Sequence, residues 1–129
     1  MNYQQNRYDN WLNDQKIDII LKKSDIKRFI DLSEEFGKNC KNKKITTSKI
    51  RSIFDSVKKL KSYDESKNEL YMLLPKLAYA KGKDTKHTLD EFQEVMDKLI
   101  RKIDSEQELK NFKDFFEAVI AYHRAEGGK

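Results

Sequence analysis

At 129 residues the chain is long enough for one domain around one core, and its four glycines and single proline are too little turn material for an all-β fold. Charged residues make up 38% and hydrophobic ones 37%, but the apolar residues fall in regular clusters, which excludes a disordered composition. The net charge of +5 is concentrated in one segment: residues 38–61 hold nine Lys/Arg against one acid, Asp55, whereas residues 84–129 hold eight against eleven acids.

A concentrated basic segment is the electrostatic footprint of a polyanion binder, and a solvated lysine-rich face is the competing reading. Cys40 stands alone, so it forms no internal disulfide and belongs to no zinc-type spacing. No apolar run approaches the ~20 residues of a membrane span, and the opening MNYQQNRYDNWLNDQ lacks a basic-then-apolar signal pattern. The expectation is a cytoplasmic protein with no membrane contact.

Residues 1–23 are rich in Asn, Gln and Asp and show weak periodicity. They read as an N-terminal arm, partly flexible, with a short helical piece at Ile17–Leu21. Tyr3, Tyr8 and Trp11 are large residues to leave in water, which suggests that the arm docks. From Ser24 a helical stripe begins: Ile26, Phe29, Ile30, Ser33, Phe36 and Cys40 recur at three- and four-residue spacing. Cys40 on this stripe reads as a small core residue. Gly37 and the basic run after it are expected to end the helix.

Thr46 is the N-cap of a second helix, with Ile45 and Ile50 as a hydrophobic staple. Its core stripe is Ile50, Ile53, Phe54, Val57 and Leu60. A third helix starts near Asp64, with Leu70, Leu73, Leu74, Leu77 and Ala80 inward and Met72, Lys76 and Tyr79 on a second stripe. Pro75 deletes one backbone hydrogen bond, so a kink is expected there, and Gly82 is expected to cap the end. Two capping boxes, Thr88-x-x-Glu91 and Ser105-x-x-Glu108, open the fourth and fifth helices. These carry the stripes Leu89, Phe92, Val95, Met96, Leu99, Ile100, Ile103 and Leu109, Phe112, Phe115, Phe116, Val119, Ile120, His123. The terminal Gly127-Gly128-Lys129 is flexible by composition. The sum is an all-α chain: a compact bundle of about five helices over residues 24–129, the third kinked at Pro75, preceded by the arm.

The residues offer little catalytic chemistry. There is no zinc spacing, no H-E-x-x-H and no phosphate-cradling loop. His87 falls in a loop. His123, amid an apolar face, reads as a hydrogen-bonded core or interface residue. No catalytic residue, metal or cofactor is expected. The cations offer more: Lys43, Lys44, Lys49, Arg51, Lys58 and Lys59 could form a phosphate track, extended by Lys76, Lys81 and Lys83 with Tyr79 among them. The alternative is a helical assembly module that touches other proteins and no nucleic acid.

Three blocks, ITTSKIRSIF (45–54), LLPKLAYAKGK (73–83) and NFKDFFEAVIAYHRAEGGK (111–129), resemble in order the small subunit of the type III-A CRISPR effector (Csm) complex. The resemblance covers about residues 24–129. It implies an all-helical, non-catalytic RNA-binding subunit of an antiviral defence particle. Copies of it would stack along the guide and target RNA, beside the backbone and large subunits, which carry the nuclease activities. By position it implies RNA-facing cations at Lys49, Arg51, Lys76 and Lys81, and either RNA or neighbour contact at His123 and Arg124. The family pattern often has Gln where Lys49 stands and Arg where Lys83 stands.

Overall fold

The computed structural model describes residues 11–129, and Tyr3 and Tyr8 lie outside that span. The described residues form six α-helices and no strand: α1 (Asp14–Lys22), α2 (Ile26–Asn42), α3 (Thr47–Lys58), α4 (Tyr63–Lys83), α5 (Asp90–Lys102) and α6 (Glu106–Ala125). The count expected from sequence was about five. The extra helix is α1, where the short helical piece extends in both directions. Asn13 caps it by accepting from Lys16 N–H at 2.8 Å, and Lys23 ends it in the left-handed region at φ 53°. Ile17, Ile20 and Leu21 enter the same core as the rest of the chain. Trp11 sits 4.8 Å from the ring of Phe36 and donates from Nε1 to Glu35.

The last helix, α6, is the spine. Leu109, Phe112, Phe115, Phe116, Val119, Ile120 and His123 are all buried, and α1, α2 and α3 all pack on it. Polar ties reinforce this. Asn111 Nδ2 donates to the Leu21 carbonyl at 2.6 Å, Lys22 pairs with the buried Glu108, and Lys23 pairs with Asp114 at 2.8 Å. The stripes expected for the last two helices are buried in full. On α2 the stripe is narrower than expected. Phe29, Ser33, Phe36 and Cys40 are buried, whereas Ile26 and Ile30, one position off its centre, are exposed. Ser33 disposes of its hydroxyl by donating to the Phe29 carbonyl at 2.9 Å.

Gly37 does not end its helix. A Cβ there would lie 2.8 Å from Tyr122 Cβ and 2.9 Å from the Val119 carbonyl oxygen, so the glycine lets α2 and α6 touch backbone to side chain. Gly82 likewise lies inside its helix, with open space around it. The helix α4 is also not broken at Pro75. Its one non-helical residue is Ser66 (φ −115°, ψ 15°), where the hydroxyl accepts from Lys61 N–H at 2.8 Å. Proline's fixed φ is already helical, and Pro75 and Tyr71 both face solvent, where water can satisfy the carbonyl that loses its partner. At Ser66 a side chain competes for the turn, which bends it.

Ser105 caps α6 as expected, accepting from Glu108 N–H at 3.1 Å. The Glu108 carboxylate completes the box one residue early, on Asp104 N–H at 2.7 Å. The other predicted box does not form. The N-cap of α5 is Leu89, without a side-chain cap, because Thr88 is bound to Asp84. At the terminus Gly128 N–H donates to the His123 carbonyl at 2.8 Å, and a Cβ on Gly128 would strike the His123 ring.

Gly37→Ala tests the helix crossing. Alanine gains about 1 kcal/mol of helix propensity over glycine, but overpacking against atoms that cannot swing away costs about 1–3 kcal/mol. We expect a net loss, read as a melting temperature several degrees lower by circular dichroism; an unchanged or higher value would contradict the crossing.

Candidate nucleic-acid interface

The α2–α3 corner is set by the buried His123, whose Nε2 donates to the Ile45 carbonyl at 2.7 Å. Thr46 then caps α3 as expected, accepting from Lys49 N–H at 3.2 Å, and Ile45 and Ile50 are both buried. From this start α3 runs across α6, with Phe54 5.1 Å from Phe116. Its far end is held by Lys113, which donates to the Leu60 carbonyl. The start of α4 is held by Glu106, which accepts from Tyr63 N–H at 2.6 Å.

Helices α3 and α4 therefore meet at both ends. One joint is the turn over residues 60–63. The other is Asp84, which lies just past α4 and is almost fully buried. Its Oδ2 accepts from Thr88 N–H (2.7 Å), Thr88 Oγ1 (2.8 Å) and Leu89 N–H (3.0 Å), and its Oδ1 accepts from Lys49 Nζ at 3.1 Å. Burial alone would raise this carboxyl. The hydrogen bonds from Thr88, Lys49 and Leu89 outweigh burial and hold it well below the usual carboxylate range. One buried anion thus ends α4, shapes the turn into α5 and pins α3.

Between the joints lies a groove made of three adjoining cavities. One end, about 430 Å³, is lined by Ser56, Lys59 and Lys76 among others. The middle, about 180 Å³, is lined by Ser52, Ser56, Lys76 and Leu77. The far end, about 360 Å³, is lined by Ser48, Lys49, Ser52 and Lys83. Tyr79, on the same helix as Lys76 and Lys83, is 69% exposed, with Lys83 Nζ 5.1 Å from its ring centroid.

The cations named from sequence divide among several flanks. Lys49, Lys76 and Lys83 line the groove, and Tyr79 stands exposed between Lys76 and Lys83 in the α4 sequence. Arg51 and Lys58 share an edge, as their spacing required, but it is the opposite flank of α3, where Lys58 lies over the Phe54 ring. Lys81 is half-buried beside the core stripe of α4. Lys44, at φ 68°, lines a separate cavity with Lys41 and Lys129. Arg124 is exposed near the end of α6. Lys49 is also not a free cation, since its ammonium is engaged by Asp84. Sequence reasoning did not single out the Ser48/Ser52/Ser56 row or Asp84. The serine row was available as a four-residue repeat.

Other groups offer less. Burial, with a contribution from Glu91, pushes the Cys40 thiol well above its usual range, so it is not a thiolate. Among the described residues no cluster of His, Cys, Asp and Glu is arranged to hold a metal ion. No helix among them is long and apolar enough to cross a membrane.

Compared with known families, residues 23–129 match the model described as Csm2 Type III-A. No curated protein and no solved structure matches the chain.

Asp84 gives a pH prediction. Its carboxyl is lowered in the folded state, so its contribution is complete above the unfolded value, about 3.9, and is lost as pH falls below that. Asp84→Asn should cost about 2 kcal/mol near neutral pH, the scale of hydrogen bonds to a charged group, and should flatten the fall in stability below pH ~4. Denaturant unfolding of both proteins across pH checks this. Parallel pH profiles would contradict it.

Proposed function

This chain belongs to the Csm2 Type III-A family, and from that premise we propose that it is a non-catalytic, RNA-binding small subunit of a type III-A CRISPR effector complex, acting in the cytoplasm. In this reading copies of the chain stack along paired guide and target RNA, against the backbone and large subunits. Surface cations, Lys44, Lys49, Arg51, Lys58, Lys76, Lys81, Lys83 and Arg124, with Tyr79, contribute the RNA contacts. The family match over residues 23–129 carries the reading. The basic surface of α3 and α4 supports it physically, since phosphate neutralisation dominates nucleic-acid affinity.

The spread of the cations over several flanks suits a subunit inside a particle. Each surface supplies a few phosphate contacts, and the assembly multiplies them. Lys49 has a double role, because it both presents charge and satisfies Asp84. Charge reversal at Lys49 would disturb the fold, so Arg51→Glu with Lys58→Glu is the cleaner probe of the outer flank.

A second reading, a protein-assembly module without nucleic-acid contact, rests on the exposed apolar row of α4, where Met72 is 58% and Tyr71 44% exposed. Purified protein separates the two. The RNA reading expects affinity for labelled RNA to fall steeply with salt, each neutralised phosphate adding about 0.7 to the log–log slope. Arg51→Glu with Lys58→Glu should lower that slope by about 1–2. Salt-insensitive self-association with no RNA retained would overturn this reading and favour the second.

A further inference from the structure

The cavity at the α2–α3 corner, about 530 Å³, shares no lining residue with the groove between α3 and α4. Three lysines reach it from three stretches of chain: Lys41 from the last turn of α2, Lys44 from the turn into α3, and Lys129 from the tail beyond α6. Asn42 and Thr46 line it too, and no acidic side chain does. None of the three lysines makes an ion pair among the described residues. Lys44 holds φ 68°, a left-handed conformation that glycine usually supplies at a helix end. Lys23 has the same conformation at the end of α1, and there Asp114 takes its ammonium. Lys44 has no such partner. The tail forms part of the wall: Gly127, at φ 94°, turns the chain back, and Gly128 N–H bonds the His123 carbonyl. The His123 ring lies directly behind Gly128. Its Nε2 is engaged by the Ile45 carbonyl, and its fully buried Nδ1 has no hydrogen-bond partner. The buried hydroxyl of Thr47, the residue after Thr46, has none either. Buried polar atoms are paired as a rule, and these two unpaired ones lie beside residues that line this cavity.

We infer that this cavity binds a phosphate monoester, the terminal phosphate of a nucleotide-sized compound, with Lys41, Lys44 and Lys129 around the anion. The inference goes beyond the RNA-binding reading and does not depend on it. A phosphate monoester carries about −1.5 to −2 charge near neutral pH on three strongly accepting oxygens. Cations brought to one volume from three stretches of chain suit a charge concentrated in that way. A phosphodiester strand spreads its charge at one per nucleotide, and a row of cations suits it better. The volume falls within the ~300–1,000 Å³ of small-molecule sites and exceeds what one phosphate group fills. Asn42, the glycine backbone and the Thr46 hydroxyl are there for the rest of the compound. The Thr46 hydroxyl accepts from Lys49 N–H and still has its own proton to donate.

The test titrates the full chain with inorganic phosphate, adenosine 5′-monophosphate and adenosine, followed by calorimetry and by the amide NMR signals of Lys44 and Gly128. Phosphate and the monophosphate should bind and shift those signals, and adenosine should not. Lys44→Gly separates a binding role from a structural one. Glycine suits the left-handed backbone, so the melting temperature should hold or rise, while affinity for the monophosphate should fall about fivefold. Adding Lys41→Gln should deepen the loss to about twentyfold. A short RNA with a 5′-phosphate, set against its 5′-hydroxyl twin, identifies the source of the phosphate. Tighter binding of the phosphorylated twin, removed by Lys44→Gly, assigns a strand end; equal binding of the twins, with the monophosphate bound, assigns a free compound. No binding of phosphate or monophosphate, equal binding of adenosine and its monophosphate, or unchanged affinity in both variants overturns the site. Each of those results leaves the RNA-binding reading standing, since Arg51→Glu with Lys58→Glu tests that on another flank.

Discussion

Helices α2 and α6 cross where neither can give way: a side chain at Gly37 would strike Tyr122 and the Val119 carbonyl. That contact fixes the distance between α2 and α6, the most extensively packed pair among the described helices. One turn further along α6, His123 reaches past the end of α2 to the Ile45 carbonyl. The crossing therefore also sets where the α2–α3 corner lies, where Thr46 caps α3, and along which line α3 leaves. The surface that matters for function is positioned by a contact buried behind it.

From there the architecture is economical. Helix α3 packs on α6, with Phe54 against Phe116, and more sparsely on α4. Lys113 and Glu106 hold the turn between them, and Asp84 closes the other end. A pair of helices joined at both ends and packed loosely between leaves a slot. The same residues that stop the slot from collapsing, Lys49 and Asp84, remove one positive and one negative charge from the surface. The groove's remaining charges are Lys59, Lys61, Lys76 and Lys83 against Glu65 and Glu69 at one end, and its hydrogen-bonding character falls to the serines.

What could be read from the sequence followed its local periodicity. The stripes of α5 and α6, the caps at Thr46 and Ser105, the burial of Cys40 and the core role of His123 all depend on residues within a few positions of each other. What could not be read depended on distant partners. Gly37 looks like a helix stop on propensity alone; its reason is Tyr122, far along the chain. Asp84 looks like a loop acid; its reason is Lys49 on another helix. Thr88 looks like an N-cap because the motif is intact, but Asp84 claims its hydroxyl. Pro75 was weighted by its cost in a helix interior, yet it lies on the wet side, where the cost is smallest, while Ser66 bends the helix through its own side chain. Among the candidate site residues, helical spacing correctly joined Arg51 to Lys58 and set Tyr79 apart from the core, but it could not say that α4 comes alongside Lys49 and leaves Arg51 on the other flank.

Photocrosslinking inside the assembled particle tests the account most directly, because it reports contact without altering any residue. With RNA labelled by a photoreactive uridine, adducts on this chain should map to the α3 stretch 48–59 and the α4 stretch 76–83, with Tyr79 among the modified residues. Adducts confined to α2 and α5, with α3 and α4 unmodified, would mean that RNA passes over a different face.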